Sequence, residues 1–276
     1  MPLRYAKPEP SARLVVIELD GALLRSDGSI STRTRGALHA VQARGVELVW
    51  VTARPPRLVR RVAANAQFTG IVICSHGSCT YELSSHTVRR QELLGSKHAV
   101  LMVESLRAAI PGVAFAVEVG LRYGCEPAYL LRREHVGSPS EAVIDRADAT
   151  QLCRAGVSIL NVQQDDWPLP ELLGMTTLLG CTRTTVIPSG SSSVDVLARG
   201  VSNAKALEVY CSERNIAPAE VLAFGSARDD LAMLRWAGCG VAVASAHPSV
   251  LAAADVVTRS SDADGVAFAL ERLGYA

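Results

Sequence analysis

The sequence predicts an α/β protein: a doubly wound parallel sheet with a smaller α+β domain inserted into it. Three observations predict this. Short apolar, β-branched runs alternate with amphipathic stretches from residue 14 to residue 74, and the alternation resumes from residue 204 towards the C-terminus. Between them, roughly residues 83–187, helical and strand-like stretches follow one another in a different rhythm. Strand, helix, strand at this spacing implies right-handed crossovers and a parallel sheet. In such sheets ligands gather at the carboxyl ends of the strands.

The run LVVIEL (14–19) reads as a strand buried on both faces and stopped by the turn pair Asp20-Gly21. Ser31 and Thr32 offer an N-cap for a helix that carries Leu38 and Val41 and ends at Gly45. VELVWV (46–51) is the second buried strand, halted at Thr52-Ala53-Arg54-Pro55-Pro56, and a helix over 56–66 leads to a third strand at 70–74. The strand ends are then 18–20, 52–54 and 75–77. In the inserted segment, helices are expected near 99–109, 138–148 and 169–179, and strands near 112–119, 158–162 and 182–187. The first sheet continues with a helix over 204–214, a strand over 221–224 ending at Gly225, a helix over 231–236, a strand over 239–243 and a helix over 250–254. The division expected is a discontinuous core, 1–82 with 188–276, and an insertion, 83–187.

Composition narrows the function classes. The chain of 276 residues is 49% hydrophobic and 20% charged, enough for a substantial core. Lys and Arg total 28 against 27 Asp and Glu, so no overall field draws in nucleic acid or an anionic membrane. The seven cysteines form no CxxC pair and sit mostly in apolar stretches, which argues against a disulfide framework or a zinc site. The N-terminus MPLRYAKPEPSAR lacks the apolar run of a signal peptide, and no long apolar span occurs, so a cytoplasmic location is expected. A monomer or a dimer would both be compatible with the sequence.

In order and spacing, VVIELDGALLRSDGSIS, VTARP, ICSHGSCTY, GVSNAKAL and AFGSARDDLAMLRWAGCG resemble the Cof-type branch of the haloacid dehalogenase superfamily. The resemblance spans almost the whole chain. It implies a haloacid dehalogenase-like core, an inserted cap domain, and a small-molecule ligand or substrate in the crevice between core and cap. It also implies phosphatase chemistry: an Asp nucleophile ending the first strand, an acid two residues on, a Ser or Thr and a Lys holding the phosphoryl oxygens, and a G-D-x-x-N-D loop completing a Mg²⁺ site. Phosphoryl transfer of this kind rests on positioning and charge neutralisation.

This chain departs from that pattern. Glu18 stands at the nucleophile position, and its extra methylene moves the attacking oxygen by roughly 1 to 1.5 Å, where about 1 Å can cost on the order of 10²-fold in rate. Asn203 replaces the lysine, and Lys205 lies about 200° further round the helix. Ser226 replaces the carboxylate expected on Mg²⁺, and Asp229 adds negative charge. Asp20, Thr52, Arg54 and Asp230 keep their expected places. The catalytic candidates are therefore Asp20 and Glu18. The substrate-binding candidates are Thr52, Arg54, His76, Asn203 and Asp229, with Asp195 as a further acidic position. No metal or other cofactor is expected.

The favoured expectation is a site repurposed for metal-independent acid/base chemistry on a small molecule, because clustered carboxylates raise one another's pKa. One alternative is an atypical Mg²⁺-dependent phosphatase of small phosphate esters, with Glu18 as nucleophile and Glu18, Asp20 and Asp230 on the metal. The other is a non-catalytic small-molecule-binding or regulatory protein, which would need no poised acid.

Overall fold

The computed structural model describes residues 12–129, 144–180 and 182–276. Its first element is β1 (Leu14–Glu18), every residue of which is buried, as the unbroken apolar run requires. Helix α1 (Thr32–Ala43) starts where Ser31 accepts from the Thr34 N–H at 2.9 Å, and it leads to β2 (Glu47–Val51). Helix α2 (Pro56–Ala66) and β3 (Ile71–Cys74) follow, then β4 (Cys79–Glu82) and β5 (Thr87–Gln91).

The insertion contributes α3 (Ser96–Ala109), β6 (Ala114–Val119), β7 (Arg122–Cys125), β8 (Ile144–Arg146) and the short α4 (Ala149–Leu152). It continues with β9 (Ile159–Gln163), α5 (Leu169–Leu179), β10 (Thr184–Pro188) and β11 (Ser193–Ala198). The chain ends with α6 (Asn203–Glu213), β12 (Val221–Gly225), α7 (Leu231–Trp236), β13 (Cys239–Ala242), α8 (Pro248–Ala253), β14 (Val256–Val257) and α9 (Gly265–Arg272).

Two sheets result, an eight-stranded one in the order β14-β13-β12-β1-β2-β3-β4-β5 and a six-stranded one in the order β10-β11-β9-β6-β7-β8. From β14 to β3 every neighbour pair of the first is parallel, and β4 runs antiparallel to β3. This is the doubly wound α/β arrangement expected. The strand order turns back at β1, whose sequence neighbour β2 lies on one side and the late strand β12 on the other. On one face Leu14 and Val16 pack with Val49, Val51, Leu207 and Met233, the last two from α6 and α7. Trp50 is fully buried and stacks on Phe68 with ring centroids 4.1 Å apart.

The chain divides into two compact units: 1–54, 58–87 and 202–276 form one, and 55–57 with 88–201 form the other. The boundaries expected at 82/83 and 187/188 both move later. The second shift is the larger, because β11 does not return to the first sheet. It pairs antiparallel with both β10 and β9 and so is an interior strand of the six-stranded sheet. Residues 189–192 therefore join two strands of a hairpin and are not a domain border. In the second unit, Phe115, Val117, Leu160, Val162, Val194 and Val196 line the face covered by α3 and α5.

The helix expected over 138–148 is also corrected. Residues 144–146 form β8, parallel to β7, and the rest of that segment up to 143 lies outside the described residues. The strand β7, interrupted by Gly124, was missed. Among the described residues no helix is long and apolar enough to cross a membrane.

Candidate functional site

The loop after β1 turns sharply at Gly21, whose φ of +94° is a left-handed value that suits glycine. A Cβ there would come within 2.6 Å of Ser226 Oγ, so the β1 and β12 loops are in close contact at this point. The turn folds Glu18 back onto its own loop. Its carboxyl accepts from the Asp20 N–H at 2.5 Å through Oε1 and from the Ala22 N–H at 3.2 Å through Oε2. Ser226 Oγ lies 3.4 Å from Glu18 Oε2 and 3.3 Å from the Asp20 carbonyl oxygen.

Asp20 points elsewhere. Arg54 grips it with Nε at 2.9 Å from Oδ2 and Nη2 at 2.6 Å from Oδ1, a two-pronged ion pair. Thr52 Oγ1 donates to Asp20 Oδ2 at 3.1 Å and accepts from the Arg54 N–H at 3.0 Å. The pair is about two-fifths exposed on each side, so water screens it.

Asp230 is buried where α7 begins, and its Oδ2 accepts from the N–H groups of Ser226 and Ala227, both at 2.8 Å. Burial pushes its carboxyl up to about 6 against those two hydrogen bonds, and the exposed Asp229 beside it adds repulsion. Glu18 is raised well above its ordinary 4.5, first by burial and then by the charges of Asp230 and Asp20. Burial is the first cause of both shifts, with the charges of Asp230 and Asp20 adding to that of Glu18.

Thr52 connects this cluster to the end of β3: its carbonyl accepts from the His76 N–H at 3.3 Å, and the Arg54 carbonyl accepts from the Ser75 N–H at 2.9 Å. Ser75 and His76 both adopt left-handed backbone with φ near +55°, and His76 is buried. Next to them a Cβ at Gly77 would meet the Ser202 carbonyl oxygen at 2.2 Å and Asn203 N at 2.9 Å. Asn203, first residue of α6, is buried, and its Oδ1 has no hydrogen-bond partner among the described residues. Loops from β1, β2, β3 and β12 and the start of α6 therefore meet at one end of the sheet. Asp195 belongs to the other unit, where it accepts from Asn161 Nδ2 at 2.6 Å.

The Mg²⁺ that the resemblance implies does not fit this donor set. The Ser226 hydroxyl directly joins two of the oxygens that would have to surround a cation, and Ser supplies no carboxylate. Glu18 is held on backbone donors and Asp20 on arginine. Among the described residues no three His, Cys, Asp or Glu side chains gather as a metal-holding group.

Two features escaped sequence reasoning. One is the Ser226 hydroxyl as a bridge between loops, which residue identity alone does not reveal. The other is Arg57, one of three arginines on α2 with Arg60 and Arg61. It forms a buried ion pair with Glu118 at 2.6 Å and lies over the Tyr123 ring at 4.2 Å. The single charge at residue 118 in the apolar run of β6 was the available signal. Cys74 and Cys79 are buried, and burial pushes the Cys79 thiol up to about 12, so neither is a nucleophile.

A family model for haloacid dehalogenase-like hydrolases matches residues 15–270. The 5-amino-6-(5-phospho-D-ribitylamino)uracil phosphatase YcsE of Bacillus subtilis is 26% identical over 94% of this chain and 94% of its own length. The stress response protein YhaX of the same organism is 25% identical over 95% of this chain and 93% of its own. A haloacid dehalogenase-like hydrolase from Bacteroides thetaiotaomicron superposes with a TM-score of 0.79 at 25% identity, covering 95% of this chain and 99% of its own.

Proposed function

This chain belongs to the haloacid dehalogenase-like hydrolases, and from that premise we propose that it binds a small polar molecule at the strand ends and acts on it by metal-independent acid/base chemistry. The observation that carries this reading is the position of Glu18. Its carboxyl is held on the N–H groups of Asp20 and Ala22, so those two backbone donors are already taken and are not left for a phosphoryl oxygen. No lysine stands at 203 to offset phosphoryl charge, while Asp229 and Asp230 add negative charge nearby.

In this reading Glu18 is the proton carrier. Burial keeps its carboxyl protonated at a pH where an ordinary glutamate has ionised, so it donates a proton to a bound ligand and recovers it from water. Arg54 and Thr52 hold Asp20 in one orientation, where its exposed side orients a ligand hydroxyl or amine. Asn203 offers a further polar contact at the start of α6.

A second reading, an atypical phosphatase with Glu18 as nucleophile, is favoured by the naming of the relative YcsE as a phosphatase over nearly its full length. One experiment separates the two. Turnover of p-nitrophenyl phosphate and of a sugar-phosphate panel is measured with and without Mg²⁺, for the wild type and for the triple variant Glu18→Asp, Asn203→Lys, Ser226→Asp. The expected result is negligible wild-type turnover in either condition and a Mg²⁺-dependent rate at least about 100-fold higher in the triple variant. Wild-type turnover on the order of 1 s⁻¹ or more, dependent on Mg²⁺ and abolished by Glu18→Gln, would establish the phosphatase instead.

A further inference from the structure

A cavity of about 710 Å³ lies within the second unit, between the approach to α3 and the ends of β10 and β11. That is the size of a small-molecule site. Leu93, Leu94 and Ala198 make its wall apolar, Arg183 and Arg199 make it cationic, and His98 stands beside them. Among the described residues no acidic residue lines it. The nearest carboxylate in sequence, Glu92, is paired with Arg90 at 2.5 Å.

Backbone bonds define its shape. Leu94 and Val157 exchange hydrogen bonds of 2.9 and 3.0 Å, which fix the approach to α3. The Arg199 N–H donates to the Arg183 carbonyl at 2.7 Å, and Arg199 Nη1 donates to the Thr182 carbonyl at 2.9 Å. The second bond holds one guanidinium at the cavity with most of its donors unspent. Among the described residues neither Arg183 nor Arg199 has a carboxylate partner. Two arginines line one cavity with no carboxylate partner among the described residues, and a guanidinium offers a fork geometry suited to a tetrahedral or planar oxyanion.

We propose that this cavity is a second ligand site, separate from the strand-end site, and that it takes a small molecule with a dianionic phosphoryl group on an apolar body. The oxyanion sits between Arg183 and Arg199, and the apolar body covers Leu93, Leu94 and Ala198. A carboxylate shares part of this chemistry but carries one charge fewer.

The test is isothermal titration calorimetry on the full chain with phenylphosphonate, which cannot be hydrolysed to release phosphate, and with benzoate as the monoanion. Phenylphosphonate is expected to bind saturably, more weakly as salt rises, and roughly tenfold or more tighter than benzoate. Arg183→Ala and Arg199→Ala are each expected to weaken it by roughly tenfold or more, while Arg54→Ala at the strand ends leaves it unchanged. A second measurement needs no variant: phenylglyoxal labelling of Arg183 and Arg199, followed by mass spectrometry, is expected to slow in the presence of phenylphosphonate. Absence of saturable binding at millimolar probe, equal binding of benzoate, unprotected arginines, or loss of binding in Arg54→Ala with retention in the other two variants would each overturn the proposal.

Discussion

At Glu18, one methylene more than aspartate lets the carboxyl reach back to the N–H groups of Asp20 and Ala22. The cost is burial beside Asp230 and the Asp20–Arg54 pair. Its pH consequence has a definite sign. The folded protein retains a proton that the unfolded chain releases above about 4.5, so this residue's contribution to stability falls as pH rises from 4.5 towards the raised folded value. Glu18→Gln removes that dependence. Thermal midpoints of the two proteins are expected to agree near pH 4 and to separate as pH rises, with the Gln variant higher by roughly 3 °C or more at pH 8, about 1 kcal/mol or more in a chain of this size. A separation that stays constant with pH would show that burial does not hold the proton. Arg57 and Glu118 give a second test at this scale. Both are largely buried, so removing one leaves the other uncompensated. Arg57→Ala is expected to cost about 3 kcal/mol in denaturant unfolding, and Arg60→Ala, its neighbour on α2, less than about 0.5 kcal/mol.

Among the elements, those that close the site are the irregular ones. The bend over residues 75–77 places left-handed residues directly after β3, and Gly77 lets the backbone of Ser202 approach more closely than a side chain permits. Gly77→Ala would set a Cβ 2.2 Å from a backbone oxygen at a φ of +97°, with no flexible atom to give way. A loss of about 3 kcal/mol or more is expected in denaturant unfolding, with faster hydrogen exchange at the start of α6. Gly28→Ala also meets a positive φ, but nothing lies within 4 Å of its Cβ. It is expected to cost about 1 to 2 kcal/mol and to leave α6 exchange unchanged. Comparable exchange in the two variants would deny Gly77 its role in joining β3 to α6.

Over the whole molecule the chain builds two cores from one continuous sequence. The eight-stranded sheet is made from both ends of the chain, and the six-stranded sheet is made entirely from the segment between them. Leu160 is fully buried in the second core and Val16 in the first. Leu160→Ala is expected to cost about 2 to 5 kcal/mol. Its increase in hydrogen exchange should be concentrated in residues 88–201, whereas Val16→Ala should act mainly on the first unit. Uniform loss of protection in both variants would mean that the two cores unfold as one.

Much of this was legible in the residues. Two-face burial demands uninterrupted apolar runs, so β1, β2, β3 and β12 announce themselves, and their spacing through helices fixes a parallel sheet whose strands end at 18–20, 52–54 and 75–77. The family pattern, read residue by residue, also located the places where Glu18, Asn203 and Ser226 depart from it. Strands of the second unit were less legible. β7 carries a glycine, β8 has only three residues, and β11 follows a turn that resembles a border, so only their pairing partners define them. Side-chain direction was not legible at all. Which donors Glu18 would reach is decided two and four residues on, by the turn of its own loop, whereas that Arg54 would hold Asp20, that Ser226 would bridge two loops, and that Arg57 would be buried on Glu118 depend on residues from 34 to 208 positions apart in the chain. Periodicity reports which face of an element is apolar. It carries no information about contacts between loops, which tertiary packing sets through distance, burial and charge.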